Sequence, residues 1–227
     1  DVWQSVWTSI IRTSLHRINQ KPLKESNWQP NIILFSGGGN ARPHLLELGV
    51  NMVGKQGFLS NFDLHLNRDS EFLFSKSKQK ISSEIEDQYT GVFTRRQSVN
   101  NIYEGIEMIA QTYGFSGVEP NTVMMGWARE SNDPLDFSRL VSRLSSLDMN
   151  VVLLDYDKKR GWGKQQSIDI WWRGGGHNGN LALSLAKFIT LSDDWANAKI
   201  RLLIVNQNND VSNSIHENAQ HVLDNLR

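Results

Sequence analysis

The sequence predicts an α/β fold in which strands and helices alternate and wind into parallel sheets, arranged as two related lobes. Three observations carry that expectation. Short β-rich runs alternate with segments of helical apolar spacing along most of the chain. One run, NVVLLDY (150–156), is apolar enough to be buried on both faces, as in a parallel sheet covered by helices. The unit NIILFS–helix–strand that starts at 31 recurs loosely as NTVMMGW–helix–strand at 121, which points to two lobes meeting near residue 160.

The elements follow in order. Trp7, Ile11, Leu15 and Ile18 recur at helical spacing, with Trp3 one turn earlier, so the first 20 residues read as an amphipathic helix that stops before Pro22. That helix either packs on its own domain or connects to something upstream; the chain also begins without a methionine, as a fragment would. KPLKESNWQP, polar with two prolines, reads as a linker. NIILFS (31–36) is a strand that ends in GGGN. Asn40 is placed to cap the next helix and Pro43 suits its first turn. FLSNFDLHL (58–66) alternates Phe62, Leu64 and Leu66 at period two and reads as a strand. Residues 67 to 97 are charged and aperiodic and read as a mobile loop.

Val99, Ile102, Ile106, Ile109 and Tyr113 then predict a helix closed by Gly114, with Ser98 as its cap. NTVMMGW (121–127) is a strand. In the helix that follows, Asp133 caps, Pro134 opens, and Phe137, Leu140, Val141, Leu144 and Leu147 share a face. After NVVLLDY and the turn DKKRGWGKQQ come a strand at 168–172, a helix at 178–190 and a strand at 200–205. A final helix carries Ile215, Ala219, Val222 and Leu226. The expected division is a connector helix (1–20), a first lobe (27–160) and a second lobe (161–227) short enough to be incomplete.

Composition narrows the function classes. The 227 residues are 39% apolar, with 24 basic residues against 24 acidic ones. A neutral chain has no general attraction to nucleic acid or anionic lipid. The absence of cysteine removes disulfides and thiolate metal sites and fits a reducing compartment. No apolar run approaches the roughly 20 residues that span a bilayer, and no signal peptide opens the chain, so a soluble intracellular piece is expected.

Chemistry-bearing patterns are sparse. His16, His44, His65, His177, His216 and His221 form no HExxH, and there is no GxSxG, GxxxxGK[ST] or GxGxxG. SGGGNARP comes nearest to a phosphate loop. Ser36, Gly37, Gly38, Gly39, Asn40 and Arg42 lie between a strand and a helix N-terminus, where N–H groups and the helix dipole favour anions. The loop lacks a P-loop lysine, and it also reads as a tight turn that lets the helix pack closely. RGGGHNGN, with Arg173, is a weaker instance. RRQS (95–98) resembles a basic-directed phosphorylation site. No catalytic set emerges, so no enzyme and no cofactor are expected.

Three stretches, in order, carry a resemblance: NWQPNIILFSGGGNARPHLLELG, YGFSGVEPNTVMMGW and IDIWWRGGGHNGNLALSLAKFITLSDDWANAKIRLLIV. Over roughly residues 27 to 205 the chain resembles the cytoplasmic C-terminal domain of cation–chloride cotransporters, the sodium–potassium–chloride and potassium–chloride symporters, of archaeal or bacterial type. It departs from their pattern at Gln29, where the family carries arginine, in RGGGHNGN, and in the unmatched residues 67 to 97. The resemblance implies two lobes like universal stress proteins and a transmembrane domain as partner. It also implies a place at the cytoplasmic face of the membrane, a homodimer, and a regulatory role without catalysis. Trp3, Trp7, Trp171 and Trp172 are then the candidate lobe or dimer contacts. The alternatives are a stress-protein-like module with weak nucleotide binding at SGGGNARP, or the same domain on an amino-acid permease-type transporter.

Overall fold

The computed structural model describes residues 2–20, 28–37, 42–66, 91–115, 117–128, 133–172, 177–204, 217 and 220. The chain divides into two compact units, Asp1–Tyr156 and Asp157–Arg227.

The first unit opens with helix α1 (Val2–Asn19). A βα alternation follows: β1 (Asn31–Phe35), α2 (Pro43–Val53), β2 (Phe58–Leu66), β3 (Val92–Val99), α3 (Ile102–Thr112), β4 (Thr122–Gly126), α4 (Pro134–Ser146) and β5 (Asn150–Leu154). The five strands form one parallel sheet in the order β3-β2-β1-β4-β5. This agrees with the wound α/β class expected and with a universal-stress-protein-like fold.

Strand pleat sorts the core into two layers. On one face Ile33, Phe35, Phe62, Leu64, Val123 and Met125 meet Ile106 and Ile109 of α3 and Leu140 and Leu144 of α4. On the other face α2 lies close over Leu34 and Leu59. A Cβ at Gly49 would sit 3.1 Å from one Leu59 methyl and 3.6 Å from Leu34, so glycine sets how near the helix comes.

The bottom edge of the sheet is tied by three asparagines, each the residue before or at the start of a strand. The Asn121 side chain accepts from the Asn31 backbone N–H at 3.1 Å and donates to the Gln29 carbonyl at 2.7 Å. The Asn150 amide donates to the Asn121 carbonyl at 3.1 Å, and the Asn31 amide donates to the carbonyls of Val118 and Glu119. These bonds satisfy backbone groups that the ladder leaves open where strands begin.

The second unit contains β6 (Ser167–Trp172), α5 (His177–Thr190), a 3₁₀ turn (Asp193–Trp195) and β7 (Lys199–Ile204). β6 and β7 pair in parallel, and Ile168, Ile170, Ile200 and Leu202 pack against Ala182, Leu183 and Ala186. On the opposite face Arg201 makes a two-pronged bond to Asp169, at 2.6 and 2.7 Å.

Several expectations need correction. The loop read over 67–97 contains β3, whose polar sequence VFTRRQSV hid it; residues 67–90 lie outside the described residues. Val99 ends that strand and is not part of α3. The cap of α3 is Asn101, whose side chain accepts from the N–H groups of Tyr103 and Glu104, and Ser98 lies in the strand. β2 does not alternate between core and solvent: Leu59 to Leu64 are buried throughout, because helices cover both faces. β5 is the reverse case. Its residues are only partly buried, because it is the edge of the sheet in this unit. The N-cap position of α2 is Arg42, without a side-chain cap bond; Asn40 lies outside the described residues, as does the helix predicted over 215–226 apart from its residues 217 and 220. Among the described residues, none covers the apolar stripe of α1. Of its described side chains only Leu15 is even partly covered.

Candidate functional site

In a wound parallel sheet the chain reverses its direction of travel once, and the two loops at that point leave the sheet on opposite sides. The crevice they open lies at the carboxyl ends of the strands and is where such sheets bind ligands. Here the reversal falls between β1 and β4. The residues that follow those strands are therefore the first place to look.

β1 leads into Ser36 and Gly37. Ser36 is fully buried, and among the described residues its hydroxyl has no hydrogen-bond partner. Gly37 has φ +64°, a left-handed conformation that glycine adopts without steric cost, and a Cβ there would meet nothing within 4 Å. α2 then begins at Pro43, which fits a first helical turn because no N–H is needed there.

Arg42 is the residue that the sequence could not place. A Cβ built at Gly126, the last residue of β4, would lie 2.7 Å from Arg42 Nη1 and 3.6 Å from Leu45 Cδ1. The guanidinium therefore crosses from the β1 side of the reversal to the end of β4, and the missing side chain of Gly126 makes room for it. The register gives the same picture. Phe35 pairs with Phe62 and with Met125, so Ser36, Asp63 and Gly126 come next, abreast, on the face that α2 covers. The rim is aromatic. His44 stacks on Tyr156 at 4.3 Å with rings 4° apart, and the half-exposed Trp127 meets Phe137 edge-on at 5.8 Å.

A polar row that sequence reasoning missed runs away from this point along β2 and β3. Asp63 accepts from Arg96 Nε at 3.2 Å. His65 Nε2 stands 2.9 Å from the same Asp63 oxygen, but its angles make no hydrogen bond. Asn61 is 1% exposed with both amide atoms unpartnered. The signal was present in the sequence: Asn61, Asp63 and His65 recur at period two inside a strand whose other residues, apart from Ser60, are apolar.

Of the residues singled out beforehand, the structure places Ser36, Gly37 and Arg42 near the carboxyl ends of β1 and β4. Gly38, Gly39 and Asn40 lie outside the described residues, as does Arg173. Trp3 and Trp7 stand 70% and 58% exposed on α1. Trp171 and Trp172 are adjacent in β6 and so face opposite ways: Trp171 is 71% exposed and Trp172 only 4%. Among the described residues no cluster of three or more His, Cys, Asp or Glu is placed to hold a metal ion, and no helix is long and apolar enough to cross a membrane.

No protein-family model matches the chain. Among solved structures, the fold is similar to the crystal structure of the cytoplasmic domain of a prokaryotic cation chloride cotransporter. The TM-score is 0.67 at 17% sequence identity, over 87% of this chain and 74% of that one. At that identity the likeness speaks for the fold.

Proposed function

We propose that this chain is a regulatory cytoplasmic domain of a membrane secondary transporter of the cation–chloride cotransporter type, that it acts by self-association, and that it performs no catalysis of its own. The observation that carries this reading is the agreement of two lines. The sequence resemblance rests on three ordered motifs, and the structural likeness to a cotransporter's cytoplasmic domain was found from the fold.

α1 supports the partner half of the reading. Trp3, Val6, Trp7, Ile10, Ile11 and Ile18 are all exposed on one 18-residue helix. Helices in proteins gain most of their stability from packing an apolar face, so an exposed apolar helix of this kind asks for a partner. A two-fold dimer supplies one, with the same patch on both copies. Tethering to a membrane raises the effective concentration of the domains, so an interface of about 1,000–1,500 Å² would suffice.

Two measurements test the reading separately. The coding sequence upstream of Asp1 should specify several apolar runs of about 20 residues; their absence sinks the transporter assignment. Sedimentation over a concentration series to the millimolar range should show a monomer–dimer equilibrium. A strict monomer throughout rejects self-association for this domain.

A further inference from the structure

We propose that α1 lies on a lipid bilayer surface, with its apolar arc in the headgroup boundary and its polar side in water. The inference goes beyond the function proposed above and does not depend on it, because it is argued from α1 alone.

At 3.6 residues per turn, Val6, Ile10, Trp3, Trp7, Ile18 and Ile11 follow one another round the helix over about 140°. All six are exposed, from 40% to 70%. Two helices packed as a pair bury a narrower seam than this. A second copy of α1 therefore covers part of the arc and leaves the rest in water, whereas a bilayer surface takes up the whole arc in one plane. The opposite side of α1 carries Ser5, Thr8, Ser9, Arg12 and His16, short or cationic groups suited to water. α1 itself is not apolar enough to cross a membrane, so the contact is with the surface.

Charge and aromatic placement favour lipid over a second helix. The chain is neutral as a whole, but between Val2 and Lys24 it has no Asp or Glu, while Arg12, Arg17, Lys21 and Lys24 are cationic. A second α1 offers these cations no acidic partner, and anionic headgroups do. Arg17 stands in the last turn on the apolar side, about 50° from the middle of the arc. From there its stem can lie along apolar surface while its head reaches the headgroups. Trp3 and Trp7 occupy the first turns of the same side. Indole rings favour that boundary, where the ring is apolar and the N–H meets water.

The test uses the intact chain at a concentration at which sedimentation shows a monomer. Large unilamellar vesicles are made of phosphatidylcholine alone or as an equimolar mixture with phosphatidylglycerol. Flotation reads the bound fraction, and acyl-chain-brominated lipid reads tryptophan contact by quenching. The chain should float with the anionic vesicles and be quenched by them. Trp3→Phe with Trp7→Phe should remove most of the quenching. Ile10→Gln with Ile11→Gln keeps good helix formers at exposed sites. This pair should weaken binding at least tenfold with circular dichroism unchanged, and Thr8→Gln on the polar side should not weaken it. Arg17→Gln should weaken binding to the anionic vesicles about fivefold and leave binding to phosphatidylcholine unchanged. The proposal is overturned if the anionic vesicles do not float the chain, if the Ile10 and Ile11 variant binds as the parent does, or if quenching survives the loss of both tryptophans. Self-association is judged separately. A chain that dimerises but does not bind vesicles sinks this inference alone, and one that binds vesicles only as a monomer upholds it.

Discussion

At the scale of single residues, polar side chains at strand ends do more than decorate the sheet. Asn121 is the clearest case. Its side chain receives the Asn31 N–H and reaches the Gln29 carbonyl, while its own carbonyl accepts from Asn150. It therefore links the starts of β1, β4 and β5. Asn121→Ala would leave backbone groups unpaired in a partly covered place. Unsatisfied groups of this kind cost about 1–3 kcal/mol each, so a loss on the order of 2 kcal/mol is expected in urea unfolding. A loss near zero would mean that water replaces the amide freely.

Asp169 offers a residue-scale test by titration. The hydrogen bonds from Arg201 hold its carboxyl below the usual carboxylate range. A depressed folded-state pKa stabilises the fold above the unfolded-state value, and that contribution is lost as pH falls through the folded value. The pair is exposed, so its energetic weight is small. Arg201→Gln should move the Asp169 pKa upward, as read by carboxyl-carbon NMR. An unmoved titration would show that the forked pairing does not persist in solution.

At the scale of elements, each helix start can be examined for what satisfies its first N–H groups. α3 uses Asn101, whose side chain accepts from both Tyr103 and Glu104. Replacing such a cap by alanine typically costs about 1 kcal/mol. Asn101→Ala should thus lower stability by about that amount, and hydrogen exchange should quicken first in the opening turn of α3. α2 differs from α3 in that no side chain caps it.

At the scale of the whole molecule, the exposed apolar helix dominates the expectation. Trp3 and Trp7 contribute little to the folded monomer, because both are mostly in solvent. The double variant Trp3→Gln, Trp7→Gln should therefore leave the melting temperature at low concentration within about a degree, since surface changes usually stay within about 0.5 kcal/mol. The same variant should weaken the dimer in sedimentation at least tenfold. If the double variant dimerises as the parent chain does, α1 is not the interface, and the exposed Trp171 of β6 becomes the next surface to alter.

The α/β class, the order of most elements, the helix cap at Asp133 and the first-turn Pro134 were determined by sequence alone. They are local properties: apolar spacing, a short polar side chain at a helix start, a ring that fixes φ. Tertiary structure decided the rest. β3 has a polar sequence and is a strand because β2 offers it a ladder, so its own pattern could not announce it. β2 is buried on both faces because of the helices above and below it, and β5 is half-exposed because of its place at the edge. The site divides in the same way. SGGGNARP stood out in the sequence because a glycine-rich turn before a helix is a local signal. Gly126 did not, because it is 84 positions from Arg42, and only the parallel pairing of β1 with β4 brings a glycine under that guanidinium. Long-range proximity follows from strand order, and strand order follows from how buried faces are shared across the sheet, which no window of sequence contains.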